Sequence, residues 1–275
     1  MTMAYRDIVV CLAEDKRSSS RLDAAIGLAE RHEGRVTGVY VQPPLAVSGF
    51  AGANFPPEFL ERLDKEQQDR AEEAEHEFRE RTAKAAVSSE WRLVAGDPVE
   101  AVTTSAHYAD IAIVGQTDPD DGRSIEGFAD SVVLGAGGPV LVWPYVGSFD
   151  LDPATVMIAW NGTREAKRAV SDALPFLQRA NKAIVLGIDT GDGTHTPGTD
   201  ICAHLARHGI KAEAQQGFTS ASVDAGNALL NAIADEGARL LVMGAYGHHR
   251  MRELLLGGMT RDVLRHMTVP VLMSH

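Results

Sequence analysis

The chain carries one pattern twice, and that repeat limits the folds open to it more than any other feature. Asp7–Val10 (DIVV) opens an apolar run, a helical stretch spans Ser18 to His32, and Arg35–Val41 (RVTGVYV) forms a second run. The same order returns at Thr155–Trp160 (TVMIAW), Arg164–Arg179 and Ala183–Asp189 (AIVLGID). Both copies also close alike, with Asp110–Gly115 (DIAIVG) then Pro139–Pro144 (PVLVWP), and Arg239–Gly244 (RLLVMG) then Pro270–Ser274 (PVLMS). The offset is about 148 residues at the start of the copies and about 130 at their ends, so the first copy holds extra residues in its middle. Fixed-order self-similarity of this kind marks one structural unit used twice.

Short runs rich in Val, Ile and Leu, alternating with longer helical segments, predict buried parallel strands joined by crossover helices. Each copy therefore reads as a doubly wound α/β unit of about five strands, giving two Rossmann-like parallel-sheet domains in tandem. Their expected extents are 1–146 and 153–275, parted by YVGSFDLDPA at Tyr145–Ala154, where Gly, Asp and Pro break the apolar pattern. Ala24, Ala25, Leu28 and Ala29 make the apolar stripe of the first helix, and Ser18, Ser19 or Ser20 is expected to cap it. Thr163 is placed to cap its counterpart, and Gly96-Asp97-Pro98 reads as a strand-to-helix junction with Pro98 in the first turn. The extra residues of the first copy begin with a Pro- and Gly-punctuated loop and end in a highly charged helix, Phe59–Lys84. Its Glu/Lys and Glu/Arg neighbours at i,i+3 and i,i+4 suit either a solvated face or a partner surface.

Charge and composition exclude several classes. The 275 residues carry a net charge of -12, which argues against a nonspecific nucleic-acid surface. No uninterrupted apolar run reaches about 18 residues, so no membrane span is expected. The first residues lack the layout of a signal peptide, and Cys11 and Cys202 form no CxxC pair, which together predict a cytoplasmic protein.

In open parallel sheets, ligands bind beyond the carboxyl ends of the strands. There the second copy reads GAYGHHRMRELLLGGMTRDVL, with Gly244, Gly247, Gly257 and Gly258 leading into a helix near Thr260. Glycines let backbone N–H groups approach an anion, and a helix start adds its positive dipole end. Turns and a cap would leave the same trace. The pattern is neither a P-loop nor GxGxxG. His248 and His249 read as phosphate neighbours or as exposed loop residues. Cys202, His204 and His208 offer half of a metal site or ordinary helix positions, and Asp192–His195 reads as a turn near the ligand mouth. No GxSxG elbow is present.

These residues resemble the universal stress protein family. The resemblance rests on Ala159–Glu165 (AWNGTRE) after the first strand of the second copy and on the Gly244–Thr260 loop, and it spans nearly the whole chain as a tandem. ATP-binding members carry glycine, two residues, glycine, nine residues, glycine, then serine or threonine; Gly244, Gly247 and Gly257 match. Gly258 stands where the hydroxyl residue is usual, with Thr260 at a second hydroxyl position, and Asn161 replaces the usual aspartate. The resemblance implies adenosine near Asn161, Ile188, Met243 and Gly244, and phosphates over Gly247, Gly257, Gly258, Met259 and Thr260. It implies ATP, ADP or AMP as the bound group, with or without Mg²⁺, and a regulatory or protective role rather than that of a dedicated enzyme. It also implies a pseudo-dimer made by pairing Val140–Trp143 with Val271–Met273, with further homodimerisation left open. A weak ATPase using His248, His249 or Asp262, and an adaptor that binds no nucleotide, are the competing readings.

The first copy departs from this pattern. Leu12 and Ala13 stand where a polar contact is usual, and Asp118, Asp120 and Asp121 enter the loop after the fourth strand. Carboxylates there would repel phosphate, so the first site is expected to be lost.

Overall fold

The computed structural model describes residues 4–42, 56–152, 154–189, 198–218, 225–246 and 258–275, with backbone alone at 188–189 and 217–218. The first half runs β1 (Asp7–Leu12), α1 (Ser18–His32), β2 (Arg35–Gln42), α2 (Pro57–Lys84), β3 (Ser88–Ala95), α3 (Pro98–Ala106), β4 (Ile111–Gly115), α4 (Phe128–Gly135) and β5 (Val140–Trp143). The second half runs β6 (Thr155–Ala159), α5 (Arg164–Asp172), α6 (Leu174–Leu177), β7 (Lys182–Asp189), α7 (Thr199–Arg207), β8 (Ala212–Phe218), α8 (Ala225–Asp235), β9 (Leu240–Gly244), α9 (Gly258–His266) and β10 (Val271–Ser274).

All these strands join one sheet in the order β3-β2-β1-β4-β5-β10-β9-β6-β7-β8. Pairing is parallel within each half and antiparallel only at the centre, where Val271, Leu272 and Met273 face Val142, Leu141 and Val140. The expected pairing of the two last strands is therefore present. It gives β5 and β10 a partner on both sides and leaves β3 and β8 as the edges.

Side chains alternate across the strands, so an all-apolar strand feeds two cores. In β1, Ile8, Val10 and Leu12 join Leu22, Leu28 and Phe78 on one face, under α1 and α2. Val9 and Cys11 join Val102, Val132 and Val133 on the other, under α3 and α4. The second half sorts the same way, with Val156 and Ile158 in the first core and Met157 in the second. Both cores continue across the central seam through Leu141 and Leu272 on one side, and Val140, Val142, Val271 and Met273 on the other.

Several local expectations change. The stretch Arg164–Arg179 is two helices, because Pro175 cannot continue α5 and opens α6 instead. None of the three serines caps α1. Ser18 accepts a hydrogen bond from the Ala13 N–H, the Ser19 hydroxyl donates to Glu77, and Ser20 accepts from the Trp143 indole. Thr163 does cap α5 by accepting from the Ala166 N–H, and Asp97 caps α3 by accepting from the Glu100 N–H with Pro98 behind it. Charged α2 is not solvated all round: Ala71, Phe78 and Thr82 are buried, and the Phe78 ring lies where a side chain on Gly38 would be, 2.7 Å from a notional Cβ.

Candidate functional site

In each half the chain leaves the central strand in opposite directions, which opens a crevice at the carboxyl ends. In the second half that strand is β6, flanked by β7 and β9, with Ala159 opposite both Leu186 and Met243. Asn161, Ile188 and Gly244 therefore sit along one end of three adjacent strands. α9 begins at Gly258 and returns the chain to β10 beside β9, so Met259 and Thr260 occupy its first turn.

The described residues assign these positions distinct jobs. The Asn161 side-chain oxygen accepts from the Thr163 N–H at 3.2 Å and from the Thr163 hydroxyl at 2.8 Å, which shapes the turn that starts α5. Gly244 has a packing reason independent of any ligand. A Cβ there would lie 2.4 Å from the Ala166 nitrogen and 2.5 Å from the Glu165 carbonyl carbon, so only glycine lets β9 press on the first turn of α5. Met243 is buried in the second core. Among the described residues, a Cβ on Gly258 would by contrast meet only the Asp262 carboxylate, at 3.3 Å. Thr260 is buried and Met259 half-buried. Of the remaining expected residues, Ile188 is described in its backbone only, while Gly247 and Gly257 lie outside the described residues, as do His248 and His249.

Glu165 closes the Ala159–Glu165 motif but has no role assigned to it from sequence. It is nearly fully buried in the first turn of α5, where an acid suits the helix dipole, and it accepts from Arg164 at 3.2 Å. Its only sequence signal is a glutamate two residues after the Thr163 cap.

The first half departs more from expectation. The corresponding crevice between β1 and β4 is an open cleft of about 340 Å³. Its carboxylates do not stand alone. The Glu14 carboxylate accepts from Arg70 on α2 at 2.8 Å, from Arg123 at 3.2 Å and from the Tyr40 hydroxyl at 3.3 Å. Arg123 also donates to Asp121 at 3.1 Å, and this hydrogen bond lowers the Asp121 pKa. Burial beside Glu14 pushes the Tyr40 phenol up to about 12. Beneath them, buried Arg21 donates to both Asp15 oxygens, at 2.9 and 2.6 Å, and to the Cys11 carbonyl at 3.0 Å. Among the described residues, only Asp121 of the three loop aspartates pairs with an arginine, Arg123, two residues away, whereas Glu14 draws arginines from 56 and 109 positions away. Among the described residues no group of three His, Cys, Asp or Glu is placed to hold a metal ion, and no helix is long and apolar enough to cross a membrane. His204 and His208 stack edge-on at 4.9 Å between ring centres.

The family model described as the universal stress protein family matches residues 4–144 and 204–275. Asn161 and Ile188 fall in the intervening segment. No curated protein sequence matches the chain. Among solved structures, a universal stress protein from Archaeoglobus fulgidus DSM 4304 is 16% identical with a TM-score of 0.74, covering 98% of this chain and 97% of its own. A putative universal stress protein from Pseudomonas aeruginosa UCBPP-PA14 is 14% identical with a TM-score of 0.61, covering 98% and 93%. At such identities the likeness is one of fold.

Proposed function

The chain belongs to the universal stress protein family, and from that premise we propose that it is a stress-response protein whose second half binds an adenine nucleotide. The reading takes residues 1–146 and 153–275 as two domains of one family fold in a cytoplasmic protein, with the nucleotide on the second. One observation carries it: Asn161, Ile188 and Gly244 lie at the ends of β6, β7 and β9, where the connections diverge, and α9 starts beside them. Adenosine would lie against Asn161, Ile188, Met243 and Gly244. Phosphates would lie over Gly247, Gly257, Gly258, Met259 and Thr260, where N–H groups and the start of α9 supply positive charge without a basic surface.

The residues suit such a group. Among the described residues, Asp262 alone lies near the position over Gly258, which suits an approach of phosphate oxygens to the backbone. With its oxygen engaged by Thr163, Asn161 offers its side-chain amide as a donor toward a base or ribose. Asp262 stands close to that approach, which favours a counter-ion such as Mg²⁺ over bare phosphate. The output of the bound state is regulatory or protective.

Equilibrium dialysis of the full chain against radiolabelled ATP with Mg²⁺, beside Gly247→Asp, tests the proposal. Saturable binding lost in the variant supports it. No binding to the unaltered chain overturns it and favours the adaptor reading.

A further inference from the structure

We infer that the cleft of the first half is a second ligand site, built for an uncharged, mainly apolar small molecule and not for a phosphate ester. This goes beyond the nucleotide reading, since it concerns the other half and the opposite ligand chemistry, and it stands if that reading fails.

The cleft has the size and composition of a small-molecule site. Its 340 Å³ lies in the range of about 300–1,000 Å³ typical of such pockets. It opens where the β1 and β4 connections diverge, and Gln67 and Arg70 of α2 close one side. Its apolar wall is drawn from five separate elements or loops, through Leu12, Val41, Pro98, Ile125 and Phe128. Ile125 stands at the rim 46% exposed, a large apolar side chain left without cover.

Charge selects against an anion. Each arginine lining the cleft already faces a carboxylate: Arg21 is bidentate on Asp15, Arg70 holds Glu14, and Arg123 spans Glu14 and Asp121. A phosphate entering here must displace Glu14 or Asp121 from its arginine, and it would meet those carboxylates as like charges. The amino end of α4 offers no spare attraction either, because Asp130 already sits in its first turn. A neutral molecule needs none of these pairs broken. It gains by covering the apolar wall, and any polar edge it has can donate to Glu14 or Asp121. The carboxylates that disfavour phosphate here, Glu14, Asp15 and Asp121, therefore leave a site of different selectivity.

Two fluorophores that differ by one sulfonate test this directly. N-phenyl-1-naphthylamine is neutral, and 1-anilinonaphthalene-8-sulfonate adds an anionic group to the same skeleton. The full chain is expected to bind the neutral probe saturably, at one per chain, with at least tenfold weaker binding of the sulfonate and no displacement by ATP with Mg²⁺. Val41→Trp, which fills the cleft, should weaken the neutral probe at least tenfold. Ile125→Glu, at an exposed rim position with little bearing on folding, should do the same, with unchanged circular dichroism confirming the fold of both variants. The inference is overturned by absence of saturable binding of the neutral probe, or by equal or tighter sulfonate binding that Val41→Trp removes. Displacement by ATP, or neutral-probe binding that ignores Ile125→Glu, overturns it equally.

Discussion

The phenol of Tyr246 donates its hydrogen bond to the carboxylate of Asp130, which lies in the first turn of α4 in the other half of the chain. Tyr246 is the last described residue before the glycine loop, and it holds a left-handed backbone with φ of 50°. Gln116 ties the halves together from the opposite side, donating to the Leu264 and Arg265 carbonyls at 2.9 and 3.1 Å while accepting from the Tyr145 N–H. The root of the second half's loop is thus anchored on the helix that walls the first half's cleft.

Tyr246→Phe removes the donor and leaves the half-buried Asp130 carboxylate without it. The expected cost is about 1.5–3 kcal/mol, the range for a hydrogen bond to a charged group. Urea unfolding should show a lower midpoint with an unchanged slope. An unchanged midpoint means that the bond contributes nothing net.

The two glycines that flank the loop should respond oppositely. Gly244→Ala forces a Cβ to within 2.4 Å of the Ala166 backbone, so about 3 kcal/mol or more of stability should be lost whatever the ligand. Among the described residues, Gly258→Ser meets only the Asp262 carboxylate, and it adds a hydroxyl at the start of α9. Thermal unfolding should separate the first variant from the second, and ATP affinity of Gly258→Ser should rise several-fold.

The central seam is predicted to be a shared core rather than a contact between finished units. Leu272 is fully buried opposite Leu141, so Leu272→Ala should cost about 2–5 kcal/mol. Calorimetry should show both halves melting earlier together. A drop confined to one of two resolved transitions would contradict this.

His32 supplies a pH dependence with a definite sign. Burial first, then the charges of Arg179 and Arg31, lowers its pKa below the ordinary 6.5. The folded imidazole resists protonation, so the unfolded chain binds the proton first on acidification. Its contribution is present above about 6.5 and is lost as pH falls through the lowered value. The melting temperature should fall from about pH 7.5 to about pH 5.5, and His32→Gln should shrink that slope. An identical slope in the variant would assign the effect to other groups.

The repeat and the all-apolar strands made the architecture legible because both are properties of contiguous residues. DIVV and TVMIA have no polar face to give to water, so each demands helices on both sides. The pairing of β5 with β10 was implied by the family resemblance, and it covers what would otherwise be two exposed sheet edges. Local chemistry was less legible. The serines at 18 to 20 look like caps in sequence, yet Trp143 and Glu77, distant in the chain, recruit two of them. Gly244 matches a ligand motif, while its closest constraint is the backbone of α5. The first half's loop aspartates were visible, and Arg123 pairs with Asp121 from two residues away, but Glu14 and its partner Arg70, 56 positions distant on α2, were not.

Isothermal titration of ATP with Mg²⁺ into the full chain tests the central claim most directly, because it counts sites. The account predicts one site per chain, abolished by Gly247→Asp and unchanged by Val41→Trp. Two sites per chain, or one site removed by Val41→Trp and retained in Gly247→Asp, would contradict it, as would the absence of heat at high protein concentration.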